Sequence, residues 1–272
     1  MQETLSMLDQ FNRHINYLRI SVTDRCNLRC TYCMPAEGIR LLRHEDILNF
    51  DEITEVSRIA VEMGVSKIRL TGGEPLVRRG ILDLVKMIAL IPGVEDLSMT
   101  TNGILLDKFA VPLKDAGLQR INVSLDTLDK AKYKKITRRG NIANVLEGLK
   151  QAKAAGLDPI KINCVTGNLT DENDALMVKR YCDENGFQVR YIRQMDLASG
   201  EFYVVEGGDG GNCSICNRLR LTSNGMVKPC LFNATGYNVR QLGAREALLK
   251  AVDNKPHCGT FNPEEEFARI GG

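Results

Sequence analysis

Three thiols stand close together in Cys26-Asn-Leu-Arg-Cys30-Thr-Tyr-Cys33, a C-x3-C-x2-C pattern. Three thiolates on one short loop can hold three corners of a cubic four-iron cluster. The fourth iron then has no protein ligand and can chelate the amino and carboxylate groups of a small molecule. Zinc is the competing reading, although zinc motifs favour C-x2-C pairs and four ligands. Further along, Gly72-Gly73-Glu74-Pro75 offers a glycine pair that lets backbone approach a ligand and a carboxylate, Glu74, suited to an ammonium group. A second group, Cys213-Ser-Ile-Cys216 with Cys230, has C-x2-C-x13-C spacing. Without other context this reads best as a zinc ribbon. Cys258, in Lys255-Pro-His257-Cys258, could close that site as a fourth ligand. Of the nine cysteines, Cys164 and Cys182 lie in apolar-periodic segments and read as small buried hydrophobes.

Cations form the second chemical signal. Arg19, Lys67, Arg69 and Arg190 fall in or near strand candidates, and Arg218 and Arg220 are spaced as residues on one face of a strand. Several fixed arginines suit a polyphosphate through bidentate hydrogen bonding. The 36 Lys and Arg against 34 Asp and Glu leave a net charge of +2. There is no basic surplus of the kind nucleic-acid binding needs, so the positive charge that matters must be local. The first residues show no apolar run after a basic start, and the most apolar stretch, 81–94, is broken by Asp83, Lys86 and Pro92. The expectation is a cytoplasmic protein that does not enter a membrane.

The elements that must position these groups follow a repeating pattern. An amphipathic run ends at Gly64, Gly93, Gly117, Gly156 or Gly186, and a short strand candidate follows each. The candidates are 67–71, 96–101, 120–125, 160–165 and 188–195, with 17–23 preceding them all. Strands separated by helices are parallel with right-handed crossovers. Six such units give an α/β fold, either an open partial barrel or a doubly wound sheet, with function at the carboxyl ends of the strands. The cysteine loop, the GGEP turn, Thr100-Thr101-Asn102-Gly103, Ser124 and Met195 all fall at those ends. After Met195 the periodicity is lost. Residues 1–197 therefore form the core, and 198–272 a C-terminal appendage with the second cysteine group.

YLRISVTDRCNLRCTYCMP, KIRLTGGEPLVRRG, TTNG, INVSLDTLD, ITRRG, IKIN, CNRLRLTSNGMVKPCLF and the terminal Gly271-Gly272 resemble the radical S-adenosylmethionine (SAM) superfamily and, within it, the GTP 3′,8-cyclases that begin molybdenum-cofactor biosynthesis. The resemblance implies a partial (β/α)6 TIM-type barrel with two 4Fe–4S clusters, one on Cys26, Cys30 and Cys33 and one on Cys213, Cys216 and Cys230. It implies a 5′-deoxyadenosyl radical that takes the ribose 3′ hydrogen of GTP, with attack on guanine C8 giving 3′,8-cyclo-7,8-dihydro-GTP. SAM contacts carry over to Gly73, Thr100, Ser124, Lys161 and Met195, with Glu74 able to hold the SAM ammonium and Tyr32, beside the last cysteine, shielding the cluster from water. GTP contacts carry over to Arg19, Lys67, Arg69, Arg190, Arg218 and Arg220. The Gly271-Gly272 tail would assist catalysis beside Arg19. A reducing electron donor and a downstream cyclic pyranopterin monophosphate synthase would be partners, and a homodimer is left open. Two departures stand out: the segment between Met195 and Cys213 is short for the family, and Arg193 stands where an acid is usual. They keep alive a paralogue acting on another nucleotide or a peptide. A non-catalytic iron–sulfur scaffold is the reading of a different class.

Overall fold

The computed structural model describes residues 7–167, 169–262 and 267–270. Six parallel strands carry the N-terminal part: β1 (Tyr17–Ser21), β2 (Lys67–Thr71), β3 (Asp96–Thr101), β4 (Arg120–Ser124), β5 (Ile160–Thr166) and β6 (Gln188–Arg193). The crossovers contain α1 (Phe50–Glu62), α2 (Ile81–Ala89), α3 (Leu106–Asp115), α4 (Lys130–Thr137), α5 (Ile142–Ala154) and α6 (Glu172–Asn185). All six strands coincide with the sequence candidates to within two residues at their ends. The five glycines after the helical runs have positive φ, between 71° and 109°, where a side chain would be strained.

The C-terminal part extends the same sheet. Strand β7 (Arg218–Leu221) lies parallel to β1, and β8 (Met226–Lys228) and β9 (Tyr237–Asn238) continue it antiparallel. Helices α7 (Val239–Leu242), α8 (Ala244–Asp253) and α9 (Phe267–Ile270) follow. The strand order is β6-β5-β4-β3-β2-β1-β7-β8-β9. The sheet is therefore not closed, and the chain must travel from β6 to the far side of β1 before it enters β7.

Alternation along the strands explains the layering. Leu18, Ile20, Ile68, Leu70, Leu97, Met99, Ile121, Val123, Ile162 and Cys164 are fully buried in one core with the helices. The residues between them are Tyr17, Arg19, Lys67, Arg69, Asp96, Thr100, Arg120, Ser124, Lys161 and Asn163, and they face a cavity. Parallel strands covered by helices usually read as continuous apolar runs. Here one face is polar because it lines a cavity. Cys164 and Cys182 are fully buried, as expected of inert hydrophobes. No described helix is long and apolar enough to cross a membrane.

Candidate active site

The cavity has a volume of 570 Å³, and strands β1 to β7 all contribute side chains to its wall. All six cysteines of the two groups line it: Cys26, Cys30, Cys33, Cys213, Cys216 and Cys230. So do Tyr32, Gly73, Thr100, Ser124, Lys161 and Met195, and the six cations Arg19, Lys67, Arg69, Arg190, Arg218 and Arg220. Gly271 and Gly272 lie outside the described residues.

The first cysteine loop is built against the turn after β2. Gly73 N donates to Thr23 O at 2.7 Å and Glu74 N to Arg25 O at 2.8 Å. A Cβ on Gly73 would lie 2.3 Å from Arg25 O, so only glycine allows this approach. Arg29 Nη1 donates to Cys26 O at 2.7 Å, and Arg138 Nη1 holds Arg29 O and Met34 O at 2.8 and 2.9 Å. Tyr32 Oη donates to the buried Asp126 carboxylate at 2.8 Å. Burial pushes the Asp126 carboxyl up to about 6, even though Val165 N and Tyr32 donate to it. Burial also raises the Cys26 and Cys30 thiols, and for Cys30 the neighbouring Cys33 adds to the rise. A cationic group bound here would favour the thiolate forms over the thiols. Among the described residues, no three His, Cys, Asp or Glu side chains converge on a single metal ion. The three thiols of the loop all line the cavity, and a set of three thiolate donors fits a cluster with one open iron.

Glu74 behaves differently from its sequence expectation. Its carboxylate does not line the cavity. It is 1% exposed and accepts from Leu76 N at 3.0 Å, Thr101 Oγ1 at 2.7 Å and Asn102 N at 2.7 Å. Donors in the turn after β2 and at the end of β3 hold its carboxylate, so Glu74 ties that turn to β3. Asn102 takes the exposed position instead. It lines the cavity, and its Nδ2 donates to Asn27 Oδ1 at 2.7 Å beside the Cys26 sulfur.

The second cysteine group surrounds a cation that sequence reading passed over. Lys255 is 1% exposed, and its Nζ donates to Arg218 O at 2.7 Å and Pro229 O at 2.6 Å. Burial works against the Cys216 thiolate, but the Lys255 ammonium, a backbone donor at Arg218 and the Arg218 charge bring its pKa below the usual thiol value. Cys230, also beside Lys255, stays raised by burial. A lone lysine in KPHC carried no signal by itself. Cys258 is exposed and does not line the cavity, so it is not part of the wall that the other three thiols form.

Strand register assembles the cations. Arg19 on β1 is paired with Arg69 on β2 and Arg220 on β7, while two residues earlier Tyr17 is paired with Lys67 and Arg218. Like charges on adjacent strands destabilise a sheet. Burial first, then Arg220, Arg69 and Arg218, pulls the Arg19 guanidinium far below its ordinary pKa. Partial relief comes from Tyr17, whose ring lies 5.3 Å from the Arg69 guanidinium and 5.8 Å from that of Arg218. The Asn122 oxygen, in the orientation that satisfies both groups, accepts from Arg69 Nη1 at 2.9 Å. Among the described residues, the buried Arg190 Nε has no hydrogen-bond partner. This wall is organised for a polyanion.

Comparison with known proteins agrees with this geometry. The Radical SAM superfamily profile matches residues 20–180. The GTP 3′,8-cyclase of Moorella thermoacetica is 43% identical, over 90% of this chain and 91% of its own length. That of Petrotoga mobilis is 38% identical over 98% of this chain and all of its own. The latter alignment runs over 323 positions against a chain of 272 residues, so the relative contains sequence that this chain lacks. In fold, the chain is similar to Streptococcus suis SuiB bound to the precursor peptide SuiA, with TM-score 0.68 and 16% identity over 91% of this chain and 67% of that one. It is also similar to anSMEcpe with bound AdoMet, with TM-score 0.62 and 17% identity over 89% of this chain and 78% of that one. With a glycine-tethered cysteine loop at the mouth of a half-barrel and relatives matching nearly end to end, the chain belongs to the radical SAM superfamily and, within it, to the GTP 3′,8-cyclase family.

Proposed function

We propose that this enzyme converts GTP to 3′,8-cyclo-7,8-dihydro-GTP, the first step of molybdenum-cofactor biosynthesis. The observation that carries the reading is the single cavity whose wall bears the first cysteine loop, the second cysteine group and the row of cations between them. Cys26, Cys30 and Cys33 would hold a 4Fe–4S cluster beside the part of the cavity that takes SAM. Once bound, these supply a 5′-deoxyadenosyl radical, for removal of the ribose 3′ hydrogen of GTP and closure of C3′ onto guanine C8. Tyr32, Gly73, Thr100, Ser124, Lys161 and Met195 border the SAM end, while Glu74 fixes the turn that carries Gly73.

Arg19, Lys67, Arg69, Arg190, Arg218 and Arg220 hold the triphosphate, whose charge offsets the repulsion they otherwise suffer. Cys213, Cys216 and Cys230 would hold a second 4Fe–4S cluster, with Lys255 as its buried counter-charge. In this reading the 1–197 core generates the radical and the 198–272 region binds the base. The Gly271-Gly272 tail assists beside Arg19, an external donor supplies electrons, and a downstream synthase takes the product.

The short connection after β6 favours one second reading, a related nucleotide as substrate. It places the acidic Asp209 at the cavity, where its charge acts on Arg190. Anaerobically reconstituted protein with SAM and dithionite, offered GTP, ATP, CTP and UTP separately, distinguishes the two. The proposal expects a cyclised product, found by mass spectrometry, from GTP alone. A product from another nucleotide and none from GTP would replace it.

A further inference from the structure

Cys258 is the one member of the second cysteine region that stands outside the cavity, and its Sγ lies 2.8 Å from Cys213 Sγ. That separation is within reach of a covalent S–S bond after a small side-chain rotation. The surrounding chain holds the pair together. Arg13, buried and fixed by Asp9 at 2.6 Å, donates through Nη1 to Cys213 O at 2.7 Å and His257 O at 3.0 Å, and through Nη2 to Pro256 O at 2.7 Å. One guanidinium thus clamps the backbone of both cysteine segments. Gly259, next in the chain, is wedged so that a Cβ on it would meet Phe232 Cβ at 2.6 Å and Cys230 Sγ at 3.1 Å. Cys258 therefore meets Cys213 from the solvent side.

We propose that Cys258 and Cys213 form a reversible disulfide by exchange with a small disulfide oxidant such as glutathione disulfide. The exposed Cys258 thiolate attacks one sulfur of the oxidant, forming a mixed disulfide and expelling one thiolate. Cys213, after losing its proton, attacks the Cys258 sulfur and expels the second thiolate. Two protein S–H bonds are lost and one S–S bond forms. The two electrons and two protons leave with the oxidant as two thiols. Cys213 has two fates: cavity ligand, or half of a disulfide that withholds it from the cavity. The bond stands independently of the function proposed above, whereas its effect on the second cluster rests on that reading.

The test uses the full cluster-free chain, treated anaerobically with glutathione disulfide, alkylated and digested. A dithiothreitol-sensitive peptide linking Cys213 to Cys258, located by fragmentation, is expected, and in C258S Cys213 is alkylated instead. Full alkylation of both cysteines in the treated wild type, or linkage spread evenly over Cys213, Cys216 and Cys230, overturns the proposal. Reconstitution then separates the two ideas. If untreated protein binds two clusters, treated wild type should bind the iron of one, and treated C258S the iron of both. Treated wild type that still binds both overturns the withholding of Cys213. If untreated protein binds only one, the second-cluster reading fails while the peptide result still decides the disulfide.

Discussion

At the scale of single residues, the site is a set of charges that are costly until a ligand arrives. Arg19 is flanked in register by Arg69 and Arg220. A charge-assisted hydrogen bond contributes about 1.5–3 kcal/mol, so Arg19→Ala should weaken GTP binding by about 10- to 100-fold. Its melting temperature should not fall, because one of three like charges in register has been removed. Equilibrium binding and a thermal melt check both halves. Lys255→Met removes the ammonium that sits among Arg218 O, Pro229 O and the Cys216 sulfur. Iron analysis should show the first cluster kept and the second lost. The thiols and arginines were legible in the sequence because their types and spacing are rare in combination. Lys255 was not, since a single lysine becomes special only through the backbone groups brought to it by folding.

Among the elements, the turn after β2 does the most precise work. The sequence suggested that Glu74 meets a ligand, and in the structure one donor from the turn after β2 and two from the end of β3 hold its carboxylate. A glutamine there replaces one acceptor oxygen with a donor and strands a buried N–H or hydroxyl, which costs about 1–3 kcal/mol. Glu74→Gln should therefore lower the melting temperature, while SAM affinity, measured on protein that remains folded, stays within a few-fold. Gly73→Ala is the sharper change, because the added carbon meets backbone at Arg25. The cysteine loop must move, and the variant should reconstitute without the first cluster although circular dichroism still reports the barrel. The strands themselves were readable because helix-ending glycines and alternating apolar residues fix their limits. Which acid or amide at a strand end faces inward depends on hydrogen-bond competition, which the pattern does not encode.

For the whole molecule, the decisive feature is that β7 adds next to β1. That pairing brings Arg218, Arg220 and the second cysteine group to the cavity already bordered by the first. The sequence showed six βα units and a C-terminal cysteine region, but neither the strand partner of β7 nor the placing of Cys258 outside the wall. Both arise from contacts between distant segments. The short connection between β6 and β7 lends Asp209 to the cavity, exposed and acting on Arg190. Removing that charge should tighten GTP binding by no more than about fivefold, the size of an exposed pair of about 1 kcal/mol or less. Titration of D209N against the wild type measures it. The central claim is that this one cavity presents the ribose of GTP to the radical generated on the first cysteine loop, and the fate of one hydrogen tests it. Anaerobic, reconstituted enzyme is given SAM, dithionite and GTP deuterated at C3′, and the 5′-deoxyadenosine formed is weighed by mass spectrometry. The account predicts that it carries deuterium, whereas unlabelled 5′-deoxyadenosine formed while GTP is consumed would contradict it.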